Sequence, residues 1–198
     1  MQNEKKRYRE LEKYLEQKTK EIYKAFHLKK KDYLFYLVKG GMFYSVMLSM
    51  NQDCLQADFC AKPFWLDDLL WEILEMEDNA KAPVSLRGIG AFTIQSKIRE
   101  KTYAASDTAQ IDEIVERVFA ELVELSESYG EEAFEAECKS IAYQQEVIEV
   151  IVLIHSGEYE KALDLCQRKK IGYFGDVDRG FSELAADYLR KMYAAHSS

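Results

Sequence analysis

A chain of 198 residues, 47% of them hydrophobic, can form one large domain or one and a half, with ample material for a core. Its formal net charge of −8 argues against nucleic acid as the main partner, because proteins that bind nucleic acid carry a basic patch. No run of residues is long and apolar enough to cross a membrane, and the charged N-terminal residues do not resemble a signal peptide. We therefore expect a cytoplasmic protein.

The cysteines are sparse and show no metal-ligand spacing, so we expect reduced thiols, no metal and no cofactor. Cys54 and Cys60 fall on one predicted strand, where six residues span about 20 Å at 3.3 Å per residue. They are therefore too far apart to share a metal ion or a disulfide. The other two cysteines, Cys138 and Cys166, lie in predicted helices.

Residues 3–26 predict an amphipathic helix, because one narrow apolar stripe recurs at helical spacing. The stripe consists of Tyr8, Leu11, Leu15, Thr19, Ile22 and Phe26. Three lysines, Lys29 to Lys31, close this segment, and cations are favourable at the negative end of a helix.

A β-meander is predicted next, and it is the most informative stretch of the chain. Tyr33 to Val38 and Met42 to Met50 have the aromatic and branched composition of strands. Gly40 and Gly41 between them tolerate the positive φ angles of a tight hairpin turn. A two-residue loop there sets the register, with the opposed pairs Lys39 and Met42, Leu37 and Tyr44, and Phe35 and Val46. This register places Tyr33 on the same face as Phe35 and Leu37.

The third strand of the meander is predicted from Cys54 to Lys62, after a turn at Asn51 to Asp53. Its alternate apolar residues align with those of the preceding strand only if Met50 is opposite Leu55. That pairing requires a loop with an even number of residues. One continuous apolar face then results, and helices must cover it. The apolar set of the third strand is Leu55, Ala57, Phe59 and Ala61.

The opposite face of the meander is mixed in character. It has an aromatic end and a polar end, and two interpretations stay open: a solvated or partly covered face, or a binding surface. Arg87 is the one basic residue expected near the sheet. The candidate ligand-binding residues are Tyr36, Phe43, Ser45, Asp58 and Arg87.

The residues after the meander predict a helix from Trp65 to Met76, which we expect to lie against the sheet. Strands are predicted at residues 84–87 and 91–98, on either side of Gly88-Ile89-Gly90. A phosphate-binding glycine loop would need a helix after it, whereas a strand is predicted here. The glycine pair therefore indicates a kink, a bulge or a close backbone approach.

From Ala105 onward the pattern is helical throughout. Asp107 with Gln110 predicts an N-cap and its reciprocal partner, and Gly130 predicts the end of that first helix. The apolar stretch from Val147 to Ile154 implies deep burial. The remaining predicted helices are residues 131–155 with a break near Ser140, 159–168, and one capped by Asp178 that runs to about Tyr193.

The segment His155-Ser-Gly157-Glu-Tyr159-Glu-Lys-Ala162 resembles the turn and the start of the second helix of a tetratricopeptide repeat. Gly157, Tyr159 and Ala162 carry the resemblance. Glu146 stands where that family has an aromatic residue, Val150 where it has a small one, and the sequence contains no second copy. The resemblance covers about residues 146–168 and implies a helical hairpin and protein binding.

These patterns predict an α+β fold, in which an antiparallel sheet of four or five strands is covered by helices and followed by a C-terminal helical segment. The division predicted is an α+β domain over residues 1–104 and a helical segment over 105–198, which is either a subdomain or packed as one unit with the first. No catalytic residues are assigned. The expected function is binding a protein or a small ligand. Two alternatives stay open: a hydrolase-like enzyme using Asp58, Arg87 and Cys60, and a helical tail that mediates oligomerisation.

Overall fold

The protein is an α+β protein with a five-stranded antiparallel sheet, as the sequence predicted. The computed structural model describes residues 2–51, 53–138, 144–172, 174 and 179–196. Within these ranges, no helix has both the length and the apolar character needed to cross a membrane.

The sheet is a simple meander in which neighbours in sequence are neighbours in space, in the order β1-β2-β3-β4-β5. Its strands are β1 Lys29–Lys31, β2 Leu34–Lys39, β3 Met42–Asn51, β4 Cys54–Pro63 and β5 Lys97–Ala104. The hairpin register between β2 and β3 is confirmed, with Lys39 opposite Met42 and Phe35 opposite Val46. Gly40 and Gly41 adopt φ angles of +56° and +78°, the left-handed conformation that the turn requires.

The strand bounds leave two residues between β3 and β4, the even number that the apolar pattern predicted. Gln52 of this connection lies outside the described residues. The alternate side chains of β4 are all fully buried, which agrees with one continuous apolar face. They are Leu55, Ala57, Phe59 and Ala61.

The helices are α1 Gln2–Ile22, α2 Phe64–Ile73, α3 Leu86–Ile89, α4 Thr108–Ser128, α5 Glu131–Glu137, α6 Gln145–His155, α7 Tyr159–Arg168 and α8 Phe181–His196. Short 3-10 helices follow α1 at Tyr23–Phe26 and α2 at Glu77–Lys81. Asp107 caps α4 as predicted, because its carboxylate accepts a hydrogen bond from the backbone N–H of Gln110 at 2.9 Å. The Gln110 side chain in turn accepts from the amide of Ser106, one residue before the predicted partner.

The chain forms two compact units. The sheet unit comprises Met1–Lys62 and Lys97–Glu131, and the helical unit comprises Pro63–Ser96 and Glu132–Ser198. The division predicted at Ala104 groups the chain differently. Residues 63–96 belong to the helical unit, and residues 105–131 belong to the sheet unit. The reason is that the chain leaves the sheet after β4 and returns to it for β5 and α4.

Two parallel helices cover the sheet of the sheet unit. α1 and α4 contact each other, and both contact β3. The Tyr14 hydroxyl donates to Asp112 at 3.0 Å, and Lys18 donates to Glu116 at 3.1 Å. Both pairs are 98 residues apart in sequence, and such a constant offset means that the helices run in the same direction. Phe119 of α4 fills the space above β2, 4.9 Å from Phe35 between ring centroids.

The start of the sheet differs from the sequence-based prediction. Lys29 to Lys31 form the edge strand β1 rather than the end of a helix. Asp32 has a φ of +53° and makes the turn into β2. Tyr33 therefore lies in this turn, 63% exposed, and the prediction that it shares the buried face of Phe35 is wrong. Lysines on an edge strand discourage pairing with other chains.

The second helix of the chain packs within the helical unit, where α2 contacts α6 and α8. The expectation that this helix lies against the sheet stays a prediction. α4 contacts β2 and β3, and its broad apolar face matches the apolar face of the meander. The buried residues of α4 are Ile111, Ile114, Val115, Val118, Phe119, Leu122, Leu125 and Ser126.

The two strands predicted at residues 84–87 and 91–98 are wrong, because this stretch forms α3 and turns before β5 begins at Lys97. The glycine pair does mark a close backbone approach. A Cβ atom on Gly90 would lie 2.7 Å from the carbonyl oxygen of Leu86. The amide of Gly90 donates to that same oxygen at 2.8 Å, which ends α3.

The C-terminal helices largely follow the prediction. α6 and α7 pack as a hairpin, and Gly157 between them adopts a φ of +75°. The predicted break near Ser140 and the predicted cap Asp178 both lie outside the described residues.

Candidate functional site

Three of the predicted site residues lie together on the sheet and are buried. The rings of Tyr36 and Phe43 stack with centroids 5.4 Å apart, and Tyr36 is opposite Ser45 in the register. The exposed fractions are 8% for Tyr36, 1% for Phe43 and 2% for Ser45. These three side chains therefore offer almost no open surface, and their role in ligand binding stays a prediction.

Asp58 lies farther along the sheet and is half-buried. Its carboxylate accepts from the Gln56 amide at 3.2 Å and lies 3.6 Å from the Lys97 ammonium. The pKa of Lys97 is raised, chiefly by its hydrogen bond to Glu100 and further by the attraction of Asp58. The aspartate thus belongs to a small ion-pair group at the β4–β5 ladder.

Arg87 belongs to the helical unit and is held from several sides. Its guanidinium donates to the carbonyl of Phe64 at 2.8 Å and to Asp68 at 2.5 Å, and it lies 3.6 Å from Asp67. It also lies over the rings of Phe64 and Trp71, 4.1 and 4.8 Å from their centroids. Such an arrangement braces the start of α2, and at 6% exposure Arg87 offers little surface to a ligand.

Cys60, one of the three residues of the enzyme hypothesis, would be a weak nucleophile in this environment. Burial raises the pKa of its thiol to about 11, so the thiol is protonated at neutral pH. Burial likewise raises the pKa of Cys166 to about 11. His155 stacks on Trp65 with ring centroids 3.8 Å apart and planes 4° apart, a packing contact at the end of α6.

A cavity of about 350 Å³ lies between α5 and α6 in the helical unit, and sequence reasoning missed it. Its rim carries three carboxylates, from Glu135, Glu149 and Glu158. Its apolar lining comes from Val152 and Leu153 of α6. The other lining residues are Cys138, Gln145 and Ser156.

The cavity lies in the most acidic part of the chain. Residues 131–160 contain eight glutamates and a single lysine, Lys139, so they carry almost all of the net charge of −8. Two lysines, one in α7 and one at its C-cap, neutralise part of this negative charge. Lys161 forms an ion pair with Glu158, and Lys169 lies 3.0 Å from Glu146. The surface around the cavity is therefore complementary to a cation.

The apolar lining explains an excess of hydrophobic residues in α6. Five apolar residues of this helix are buried, whereas Val152 and Leu153 are only half-buried and line the cavity. The sequence did contain this signal, because α6 is apolar nearly all round. A helix that packs through one face leaves such additional apolar residues available for another contact. The buried five are Val147, Ile148, Val150, Ile151 and Ile154.

A larger cavity of about 680 Å³ lies between α7 and α8, and most of its charged side chains pair with one another. Arg179 and Arg190 both pair with Asp187, and Arg179 also lies 3.9 Å from Glu183. Its lining has one more positive than negative charge, because Lys170 also lines it. The excess of one sign of charge is larger in the cavity between α5 and α6, where three glutamates line the cavity.

Comparisons of the chain with protein-family models, with curated proteins and with solved structures find no significant match in any of the three.

Proposed function

We propose that the protein acts by binding another protein, and that a basic segment of this partner occupies the cavity between α5 and α6. The observation that carries the proposal is the cavity itself, with an apolar lining of Val152 and Leu153 under a rim of three glutamates. Lysine and arginine have the matching shape, because each has an apolar stem and a charged end.

A cation in this cavity would gain more than it gains on an open surface. The stem removes apolar side chains from water, at about 25 cal/mol per Å² of apolar area buried. The charged end forms hydrogen bonds with carboxylates, which are about twice as strong as hydrogen bonds between neutral groups. Half-buried carboxylates such as Glu149 are also less screened by salt than exposed ones.

Two further features support binding over catalysis. The α6–α7 hairpin is the structure that the resemblance to a tetratricopeptide repeat implies, and that resemblance implies a protein partner. Burial raises the pKa of Cys60 to about 11, which keeps its thiol protonated at neutral pH and so weighs against the hydrolase hypothesis.

The proposal is tested with a photo-crosslinking amino acid placed at Leu153 of the full chain in cells, followed by mass spectrometry of the cross-linked proteins. The decisive variant is the triple substitution Glu135→Gln, Glu149→Gln and Glu158→Gln. We expect the cross-linked partner to carry a lysine or arginine at the cross-linked position. We expect the triple variant to give a yield of cross-linked product that is at least about tenfold lower.

A matched control separates a loss of local charge from a loss of net charge. The control also removes three negative charges, but from exposed positions of α1 and α4, through Glu12→Gln, Glu113→Gln and Glu124→Gln. We expect this control to retain the cross-link. A cross-link that survives in the cavity variant, or that disappears equally in both triple variants, overturns the proposal.

A further inference from the structure

The strand β5 ends the sheet on the side opposite β1, and in the described part of the chain it pairs only with β4. It is eight residues long, whereas the other edge strand β1 has three residues. An edge strand presents a row of backbone N–H and C=O groups that can pair with another chain. The outer edge of β5 is thus the longer of the two free edges of the sheet.

The register fixes which side chains of β5 share the face covered by the helices. Arg99 is opposite Phe59, Lys101 is opposite Ala57 and Tyr103 is opposite Leu55. Residues directly opposite each other point to the same side of a sheet. Arg99, Lys101 and Tyr103 therefore line one face of the edge.

The adjacent flank of α4 adds two charged residues to this face. Glu121 lies 2.6 Å from Lys101, and both Glu121 and Arg117 are close enough to act electrostatically on the hydroxyl of Tyr103. Since Lys18 of α1 pairs with Asp112 and Glu116, this flank of α4 is the one directed away from α1.

The group has positive charge and a hydroxyl that its own neighbours do not satisfy. Across the described ranges, the side chains of Arg99 and Arg117 make no ion pair or hydrogen bond, and Glu121 is engaged by Lys101. The Tyr103 hydroxyl is buried and has no hydrogen-bond partner among the described residues. Buried polar groups are nearly always satisfied, so this hydroxyl calls for an explanation.

We propose that β5 docks an extended acidic segment of a partner protein, which adds to the sheet as a sixth strand. Backbone pairing along β5 would hold the segment. Because side chains alternate along a strand, carboxylates at every second position would face Arg99, Lys101 and Arg117. One carboxylate would accept the hydrogen bond of the Tyr103 hydroxyl.

The charges favour an acidic partner over a second copy of this chain. A second copy of the chain would pair its β5 with this β5 around a two-fold axis. If the axis passes through Arg99, Glu100 or Lys101, the residue on the axis lies opposite the same residue of the other copy. Like charges directly opposite each other destabilise a strand pair. Nucleic acid is disfavoured because the net charge of the chain is −8. This surface belongs to the sheet unit and has the opposite charge from the cavity between α5 and α6, so the two proposals stand or fall separately.

The probe is a fluorescent octapeptide in which glutamate alternates with threonine, titrated into the full chain and followed by anisotropy. We expect the double variant Arg99→Gln and Arg117→Gln to bind about tenfold more weakly or worse. We expect Tyr103→Phe to bind several-fold more weakly. We also expect the peptide to slow hydrogen exchange of β5 amides.

The matched control Arg9→Gln and Lys13→Gln removes two exposed cations from α1 and should bind as the native chain does.

Five results would overturn the proposal. The peptide fails to bind the native chain, or it binds the Arg99 and Arg117 double variant equally well. A peptide methylated on alternate backbone nitrogens binds as tightly as the parent, which would exclude strand pairing. An eight-nucleotide single strand binds more tightly than the peptide, which would indicate nucleic acid. Sedimentation shows a dimer that Thr102→Pro abolishes, which would make a second copy the occupant of β5.

Discussion

Arg87 donates a hydrogen bond to the carboxylate of Asp68 across 2.5 Å, from α3 to α2. The same guanidinium bonds the carbonyl of Phe64 and stacks over its ring. Arg87 is 6% exposed, so a charged residue is almost completely removed from water here. The helical unit therefore depends on this arginine for the geometry of α2.

Replacement of Arg87 by methionine should destabilise the protein by about 3–5 kcal/mol, because the buried Asp67 and its neighbour Asp68 lose their cation. Arg87→Lys should recover less than half of the loss, since an ammonium cannot bond and stack as a planar guanidinium does. Urea unfolding monitored by tryptophan fluorescence measures the free energy of unfolding of both variants. The exposed substitution Arg9→Met should change the free energy of unfolding by less than about 0.5 kcal/mol, and equal losses at both positions would contradict the prediction.

Gly90 tests the close backbone approach at the end of α3. A Cβ atom there would lie 2.7 Å from the carbonyl oxygen of Leu86, whereas a Cβ atom on Gly130 meets nothing within 4 Å. Gly90→Ala should therefore cost about 1–3 kcal/mol through strain. Gly130→Ala should stay within about 0.5 kcal/mol of the native chain. Thermal unfolding of the two variants side by side gives the comparison, and a neutral Gly90→Ala would show that the backbone shifts freely.

The pair of Glu75 and Lys191 should give a measurable pH dependence. Their side chains are 2.8 Å apart, and the hydrogen bond from Lys191 is the main reason that the pKa of Glu75 is lowered. Because the folded pKa is lower than the unfolded one, the contribution to stability is present above the unfolded pKa. It is lost as the pH falls through the folded pKa.

Carboxyl chemical shifts in an NMR titration measure this directly. We expect the pKa of Glu75 to return to its ordinary range in Lys191→Met and to move toward that range at high salt, since the pair is exposed and screened. A carboxyl that titrates at the same pH in the native chain and in Lys191→Met would show that the ion pair does not form in solution.

The thiols of Cys60 and Cys166 should be unreactive in the folded protein. With a pKa of about 11 for Cys60 and Cys166, only about one thiol in a thousand is ionised at pH 8. Alkylation by iodoacetamide, followed by mass spectrometry, should be slow at both positions and should accelerate about tenfold for each pH unit below 11. Unfolding in urea should remove the difference. Rapid alkylation of native Cys60 at pH 8 would restore the thiol as a candidate nucleophile.

The candidate cavity was only partly visible in the sequence. Glu135, Glu149 and Glu158 come from α5, α6 and the turn before α7, and their spacing gives no sign that they share a rim. The visible signals were the run of glutamates and a helix too apolar for a single packed face. Conversely, Tyr36 and Phe43 were correctly placed together on the sheet, but their burial depended on contacts that no strand pattern contains.

The sequence by itself determined the local structure: the glycine turn and register of β2 and β3, the apolar alternation of β4, the cap of α4 and the α6–α7 hairpin. Turn geometry and the periods of strands and helices are properties of neighbouring residues, so they can be predicted from neighbours. Only the tertiary structure decided that α1 and α4 cover the sheet side by side, that Arg87 is buried against α2, and that three glutamates line a partly apolar cavity. Several helices have apolar faces of similar strength, and the choice among them depends on how distant surfaces match in shape and volume.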